Sequence, residues 1–484
     1  MFSKHHSFCP AAFVIAVLVV STAYSTPISI LEYGAVANDT SYNASYINGK
    51  ALFYAVNAAN NANASDREVI VPSGYVFSFL PFGIFTGIHN VVVRIDGVLS
   101  AFAGDNLLWP NMTDGRTFNI IEFDNSDQVT LTGQGSIVGN GYHWWWYVVL
   151  TGLDNRPHMI VTQSVTNFIL ENLTLLNSPQ YHVFLRDNVN ATVQFLTVHV
   201  DVTEQQSLLE SFGLFEDGLP MFPLNTDGID IAGENITVRH CSVQNFDDSV
   251  CIKPANKNYN LTTCSQNMHI HDIFIHLGVG ASVGSVPPDP AVNCIRNILF
   301  ERIHFDHPIK ALYVKPNPCP DPERDGTGIV DSITYKDIFA DTPLWWPIWV
   351  STQQQHQPGN GADTGCSFFY PLPNTTCPTQ GCVPVTRLTI KNFTANGALL
   401  SPGVLRCNET NPCRDFYFED VNIQTDTGFP FGVNYLCHAI ENFTIVGASS
   451  PLQCVYNASS EDDDIPVALK HPMVRRALNS RKFP

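Results

Sequence analysis

The sequence is poor in charged side chains, and in positive charge above all. Only 14 % of its 484 residues are charged, and 25 Lys and Arg stand against 44 Asp and Glu, so the formal net charge is −19. A surface of this sign repels phosphate backbones and anionic lipid, so nucleic-acid and membrane partners are not expected. Because 44 % of the residues are hydrophobic, a disordered chain is also excluded.

Sequence motifs of nucleotide and metal chemistry are missing as well. The chain contains no GxxxxGK[ST] phosphate loop, no HExxH and no CxxC pair of the kind that holds zinc. These absences argue against nucleotide-dependent and zinc-dependent chemistry.

Long apolar runs are absent except at the N-terminus. A run from Phe8 to Val20 follows Lys4 and precedes small residues that end at Ser25. This pattern is typical of a secretory signal peptide, and about 13 apolar residues fall short of the roughly 20 that a spanning helix needs. We expect residues 1–25 to be removed and the protein to be secreted into the extracellular space.

Cysteine and asparagine usage agrees with secretion. Removal of the signal segment takes Cys9 with it and leaves 13 − 1 = 12 cysteines, an even number that suits disulfides. The short loops Cys377–Cys382 and Cys407–Cys413 are natural candidates for pairing. Asn-x-Ser/Thr sequons recur along the chain, which indicates a glycoprotein.

The rest of the sequence repeats one kind of short phrase. Alternating β runs such as Val165–Leu175 and Ile295–Ile303 recur mostly every 22 to 35 residues or so, each with an Asn, Asp or Gly turn. A β-sandwich repeats about every 8–12 residues, so this spacing favours a solenoid whose coils bury their apolar faces on one another. We predict an all-β, single-domain parallel β-helix over residues 26–458, with a short N-terminal capping helix at Gly49–Asn63.

Two long segments interrupt the repeat, and a charged tail follows it. Glu204–Leu224 and Pro343–Pro384 are predicted to be inserted loops, which on a rigid scaffold are common recognition sites. Residues 459–484 are first acidic and then basic, and we expect them to form a solvated tail.

Three aspartates lie about one coil apart. Asp227 stands in Asn-Thr-Asp-Gly, and Asp247 and Asp248 follow; Asp227 and Asp248 are 248 − 227 = 21 residues apart. Because coils stack ~4.8 Å apart, these carboxylates are expected to project into one groove, roughly 5–9 Å from each other. Asp247 and Asp248 can share that groove only if the backbone turns between them. Crowding should then raise at least one pKa, although single Asp residues at turns are often only caps.

At these residues the sequence resembles glycoside hydrolase family 28, the polygalacturonases and related pectin hydrolases. Asn225-Thr-Asp227 matches the family's NTD motif, and Asp247-Asp248 stands at its paired aspartates. Gly278–Ser285 is similar to Gly-His-Gly-x-Ser-x-Gly-Ser, and Tyr313-Val-Lys315 stands where Arg-Ile-Lys is usual. The resemblance covers Ile28–Cys454.

The resemblance implies a right-handed β-helix that hydrolyses pectic polysaccharide with inversion, as a monomer and without metal or organic cofactor. By this resemblance Asp247 donates a proton to the glycosidic oxygen, and Asp227 and Asp248 together activate the attacking water. Lys315 is expected to hold a carboxylate or hydroxyl of the substrate. The candidate substrate-binding residues are Lys315, Tyr313, Asn225 and Lys253.

Two positions depart from the family pattern. The family histidine is Val279 here, which forms no side-chain hydrogen bond, and the carboxylate-binding arginine is Tyr313, which lacks the charge. These changes leave open a different pectic linkage such as rhamnogalacturonan, an exo-acting enzyme, or a pectin-binding β-helix without turnover. A pectate lyase, which uses Ca²⁺ and a basic residue, is a further alternative.

Five tryptophans also have two interpretations. They either stack on sugar rings along the groove or fill the space beneath loops. These residues are Trp144, Trp145, Trp146, Trp345 and Trp346.

Overall fold

The computed structural model describes most of the predicted repeat. It covers residues 27–61, 67–203, 207, 223–255, 261–354, 365–372, 375–426 and 431–456. The predicted signal segment, nearly all of the first inserted loop and the charged tail lie outside these residues.

The described residues form a right-handed parallel β-helix, which confirms the predicted fold class. The strands before the cleft region are β1 (Ile28–Ser29), β2 (Glu68–Val71), β3 (Val76–Phe79), β4 (Phe85–Thr86), β5 (His89–Ile95), β6 (Val98–Ala101), β7 (Ile121–Asp124), β8 (Asp127–Thr132), β9 (Ser136–Val138), β10 (Ile160–Gln163), β11 (Ile169–Glu171), β12 (Thr174–Leu176), β13 (Val183–Gln194) and β14 (Thr197–His199).

The later coils contain longer strands, several of which turn a corner of the helix. They are β15 (Ile229–Arg239), β16 (Ser242–Asn245), β17 (Val250–Ile252), β18 (Ser265–Leu277), β19 (Ala281–Val286), β20 (Asn293–Asp306), β21 (Lys310–Pro316), β22 (Gly328–Asp341), β23 (Trp346–Val350), β24 (Val385–Ala398), β25 (Gly403–Arg406), β26 (Cys413–Thr425), β27 (Tyr435–His438), β28 (Ile440–Val446) and β29 (Cys454–Tyr456).

Strand pairing divides the coils into three parallel ladders. The ladder that matters for function runs β4–β7–β10–β13–β15–β17–β19–β21–β23–β25–β27–β29, and we call it the cleft ladder. The second ladder begins β1–β2–β5–β8–β11 and continues through the later halves of β13 and β15. The third joins β3, β6, β9, β12, β14 and β16 to β18.

Alternation along each strand fills the interior with stacked rows of apolar side chains. Ile270, Phe300, Tyr335, Ile390 and Phe418 occupy the same register position on successive coils, and all five are buried. The rings of Phe300 and Tyr335 stack with their centroids 4.7 Å apart. These stacked rows form a core that runs along the axis of the helix. Burial of each such side chain contributes about 1.5–3 kcal/mol.

Asparagines at one corner hold the coils in register. Asn167, Asn190 and Asn235 adopt φ values of 54°, 58° and 58°, a left-handed conformation that asparagine tolerates better than most residues. Their side-chain amides form a ladder, because Asn190 donates to Asn167 and Asn235 donates to Asn190, each over 3.4 Å. The Asn turns noted in the sequence are these corners.

The helices lie at the N-terminal end and in the connections. The predicted capping helix exists as α1 (Tyr42–Asn61), which begins earlier than Gly49 and buries Leu52 and Val56. The sequence analysis did not predict α2 (Tyr142–Thr151) or the short α3 (Pro322–Asp325). Two 3-10 helices span Ile30–Tyr33 and Asn106–Leu108. No helix among the described residues is long and apolar enough to cross a membrane.

Most of the candidate tryptophans fill space. Trp144 and Trp145 of α2 are buried, and the indole of Trp145 donates to the carbonyl of Ser178 at 3.1 Å. Trp346 is also fully buried, whereas the partly buried Trp345 stacks on the exposed Phe368 with ring centroids 4.9 Å apart.

Five disulfides are formed among the described residues, and one of the two predicted pairs is correct. Cys407 bonds Cys413 as expected, but the Cys377–Cys382 prediction is wrong. The backbone N–H of Gly328 donates to the carbonyl of Cys382, which holds that cysteine at the start of β22, where it bonds Cys319. The five pairs are Cys264–Cys294, Cys319–Cys382, Cys366–Cys377, Cys407–Cys413 and Cys437–Cys454, and Cys241 and Cys251 are buried thiols.

Candidate active site

A cleft of about 620 Å³ lies on the outer face of the cleft ladder. The structure brings together six of the seven predicted site residues in this cleft, and these are Asp227, Asp247, Asp248, Asn225, Lys253 and Lys315.

The three aspartates share the cleft because none of them lies within a strand. Asp227 precedes β15, and Asp247 and Asp248 lie in the bend between β16 and β17, so the required turn of the backbone is present. The N–H of Gly228 donates to the carbonyl of Asp248 at 2.9 Å, which stacks the two coils directly. One oxygen of each carboxylate lies within 4.8 Å of the others, and all three side chains are buried.

Asp247 is fixed by backbone donors on both oxygens. Oδ1 accepts from the N–H of Asp248 at 2.9 Å, and Oδ2 accepts from the N–H of Asn225 at 2.8 Å. Asn225 has a φ of 61°, and this left-handed turn aims its N–H at the carboxylate. The predicted site residue Asn225 therefore positions Asp247 through its main chain.

Arg156 holds that turn, and the sequence analysis did not identify it. Its guanidinium is buried, pairs with Asp154, and donates to Oδ1 of Asn225 at 3.0 Å and to the carbonyl of Leu224 at 2.7 Å. The side chain of Asn225 is thus bound by Arg156. Nothing in the local sequence marks this role, because Arg156 precedes Asn225 by 69 residues.

Asp248 is surrounded by donors. Burial alone would raise its pKa, but Lys315 and Lys253 outweigh burial and lower the pKa of Asp248 to about 2. Lys315 bonds Oδ2 directly, Lys253 lies 3.4 Å from the same oxygen, and the hydroxyl of Ser282 donates to Oδ1 at 2.7 Å. Asp248 is therefore ionised throughout the neutral range.

Asp227 has the opposite environment. Burial, with the nearby carboxylates of Asp230 and Asp247, raises the pKa of Asp227 well above its usual range. Its Oδ1 has no hydrogen-bond partner among the residues that the structure describes. The prediction that at least one pKa is raised is thus supported, with burial as the main cause. The raised pKa favours the protonated form of Asp227.

A further buried carboxylate, Asp230, was not singled out in the sequence. It is fully buried in β15, where it pairs with Nζ of Lys253 at 3.1 Å, and burial raises the pKa of Asp230 to about 6. Nζ of Lys253 also lies 3.4 Å from Asp248 and 3.8 Å from Asp227. Lys253 therefore lies within ion-pair distance of three carboxylates, and its predicted contact with substrate remains a prediction.

The two departures from the family pattern belong to one apolar cluster. Val279 and Tyr313 are buried beside Trp346 and Trp349, and neither lines the cleft. The phenol of Tyr313 accepts from the N–H of Gln354 at 2.7 Å. Tyr313 is thus buried in this cluster and lies outside the cleft lining, and its predicted contact with substrate remains a prediction.

Comparison with known proteins identifies the family. The family model described as glycosyl hydrolases family 28 matches residues 89–444. The chain belongs to glycosyl hydrolases family 28. The predicted glycosidase of the polygalacturonase type is thereby confirmed at the level of the family.

Relatives and solved structures carry several substrate names. A probable polygalacturonase of Arabidopsis thaliana is 23 % identical over 404 residues, which cover 83 % of this chain and 74 % of the relative. Rhamnogalacturonase A of Aspergillus aculeatus is 23 % identical over 417 residues, covering 85 % and 75 %. The endo-xylogalacturonan hydrolase of Aspergillus tubingensis superposes with a TM-score of 0.66 at 17 % identity, over 90 % of this chain and all of that one, which supports the fold.

Proposed function

We propose that this protein is a secreted, monomeric hydrolase that cleaves galacturonan-type glycosidic bonds of pectic polysaccharide with inversion. The observation that carries the proposal is the convergence of Asp227, Asp247 and Asp248 in one cleft, with oxygens within 4.8 Å of one another. Five disulfides, together with the N-terminal signal pattern, support secretion.

Inverting hydrolysis needs one group that donates a proton to the leaving oxygen and another that accepts a proton from the attacking water. Asp247 stands at the family position of the acid and donates a proton to the leaving oxygen. Asp248, kept ionised by Lys315, accepts a proton from water, and the protonated Asp227 orients that water in the resting pair. At rest this pair therefore carries one proton and one base. As water bonds to the anomeric carbon and the glycosidic bond breaks, the proton of water passes to Asp248 and Asp247 becomes ionised.

The proposal includes no metal or organic cofactor. Three convergent carboxylates are also a ligand set for a divalent cation. Here Nζ of Lys253 lies within ion-pair distance of Asp227 and Asp248, and Lys315 bonds Asp248. These ammonium groups supply the positive charge that an ion would provide.

Hydrolysis of rhamnogalacturonan is a second candidate. It is favoured by Tyr313, which replaces the family's carboxylate-binding arginine and lies in an apolar cluster. Without that arginine, the cleft does not require an acidic sugar at the position that the arginine would contact.

Product analysis by anion-exchange chromatography tests both candidates. Purified protein is incubated with polygalacturonate, xylogalacturonan and rhamnogalacturonan, beside Asp247→Asn and a matched control, Asp415→Asn, at an exposed corner. We expect saturated oligosaccharides from the parent and from Asp415→Asn and none from Asp247→Asn, and the responding polymer identifies the substrate. Unsaturated products that absorb in the near ultraviolet would indicate a lyase, and silence on all polymers with an intact fold would indicate a binding protein.

A further inference from the structure

The cleft contains one more cation, on the side of the aspartates away from Lys315. Arg186 lines the cleft together with Phe184 and Tyr181, on the coil that precedes Asp227. The proposed chemistry does not use this guanidinium, and the family motifs do not include it.

Arg186 differs from the other cations of the cleft in its partners. Lys253 and Lys315 are ion-paired with Asp248, and Arg156 is paired with Asp154. Within the described part of the chain Arg186 forms no ion pair with a carboxylate, and its Nε is buried without a hydrogen-bond partner. A buried donor without a partner is unfavourable unless a ligand satisfies it.

The guanidinium is held in a fixed orientation. Its central carbon lies 4.4 Å from the ring centroid of Phe184, which stands two residues earlier on the same face of the strand. Phe184 in turn packs edge-on against Tyr181 and His158, with centroid distances of 5.4 and 5.6 Å. A planar guanidinium fixed on a ring in this way presents its fork of N–H donors for a bidentate contact with a carboxylate.

Strand order places Arg186 on an earlier coil of the same ladder as the two lysines. Leu185 pairs with Ile231 and Ile231 with Ile252, and the register of β13 on β15 shifts immediately after Leu185. From β15 onward the row reads Ala232, Lys253, Gly284 and Lys315, and Arg186 lines the same cleft from the coil before Ala232. The cations therefore lie on alternate coils, about 10 Å apart along the axis, with small residues between them.

We propose that Arg186 binds a carboxylate of the polysaccharide on the side of the aspartates opposite Lys315. Since cationic groups then lie on both sides of the catalytic carboxylates, the cleft selects a substrate with acidic sugars on both sides of the scissile bond. This is the chemistry of an uninterrupted galacturonate run, and a polymer whose acidic sugars alternate with neutral ones fits less well. The inference rests on the proposed function of the cleft as a site for acidic polysaccharide.

Binding measured without turnover tests the proposal. In an Asp247→Asn background, isothermal titration with an oligogalacturonate compares Arg186→Gln with Arg296→Gln, which removes the same charge from an exposed residue outside the cleft. We expect Arg186→Gln to weaken binding about tenfold or more, as for loss of a charge-assisted bidentate contact, and Arg296→Gln to leave it unchanged. Arg186→Lys, which retains charge without the fork, should fall between them.

A methyl-esterified oligogalacturonate separates a charge contact from a structural effect. Its affinity should be the same for the Arg186→Gln protein and its parent, because the esters carry no negative charge. Equal weakening on both ligands, or an affinity of Arg186→Gln equal to that of Arg296→Gln, would overturn the proposal. If Arg186→Gln does not fold, the comparison of Arg186→Lys on the two ligands decides by the same criteria.

The outcomes also separate this inference from the proposed function. Selective loss of binding in Arg186→Gln, with no product from the unmutated protein, would support the inference and reject hydrolysis. Products together with unchanged binding in Arg186→Gln would reject the inference alone. A background protein that binds neither oligosaccharide would reject both.

Discussion

Replacement of Lys315 by methionine should shift the acid limb of the pH–rate profile. Lys315 bonds Oδ2 of Asp248, and it is the largest of the influences that lower the pKa of this carboxyl to about 2 against burial. The depression from 3.8 to about 2 corresponds to roughly 2.4 kcal/mol at 1.36 kcal/mol per pKa unit. Without Lys315 the remaining Lys253 lies 3.4 Å away, and burial then raises the pKa at least to its ordinary value.

The assay is kcat/KM for the responding polymer between pH 2.5 and 7, since this ratio reports the groups of the free enzyme. We expect the acid limb of Lys315→Met to lie about two pH units above that of the parent, in addition to any loss of substrate affinity. Lys336→Met, at an exposed lysine paired with Glu301, serves as the control and should leave the limb in place. A folded Lys315→Met protein whose limb does not move would refute the role of Asp248 as the base.

Three further variants test the electrostatics around the cleft. Lys310 is buried without an ion pair in the described structure, and burial lowers its pKa to about 7. The stability of the parent should therefore fall as the pH falls from about 10 to 7. Lys310→Met should remove this slope and raise Tm at pH 7, with a gain in unfolding free energy of at most about 5 kcal/mol. Because the pKa of Asp230 is raised to about 6, the stability of the parent should fall as the pH rises from about 4 to 6. Thermal melts of Asp230→Asn should lack this fall in stability. An unchanged pH dependence would exclude Asp230 as its source. Arg156→Met should lower kcat at least tenfold, because Arg156 holds the Asn225 turn that positions Asp247. The same substitution in the Asp247→Asn background should leave oligosaccharide binding little affected. An unchanged kcat would refute the positioning role.

The sequence predicted those features that repeat or that lie within one motif. The β-helix follows from apolar rows such as Phe300 and Tyr335, whose period is visible without knowing the register. The aspartates of the cleft were found because Asp227 and Asp248 are separated by one coil and match a family motif.

Features that depend on how distant segments meet were not predicted. Arg156 reaches Asn225 across 69 residues, and Arg186 enters the cleft only because β13 lies beside β15 in the cleft ladder. The pairing of Cys382 with Cys319 depends on the path of a long loop, which composition does not reveal.

The two departures from the family motif gain a common explanation in the structure. Val279 and Tyr313 pack in the same apolar cluster, so both polar side chains of the family pattern are replaced within one apolar environment. The N–H of Val279 still donates to the carbonyl of Asp247 at 2.8 Å, and the backbone support of that residue is therefore retained.

The stereochemistry of the first product tests the central claim most directly. Proton NMR during the first turnovers on the responding oligosaccharide shows the anomeric configuration before it equilibrates. A single displacement by water between Asp227 and Asp248, with Asp247 as the acid, predicts that the new reducing end first has the inverted configuration. A first product with retained configuration, or one with an unsaturated sugar, would contradict the account.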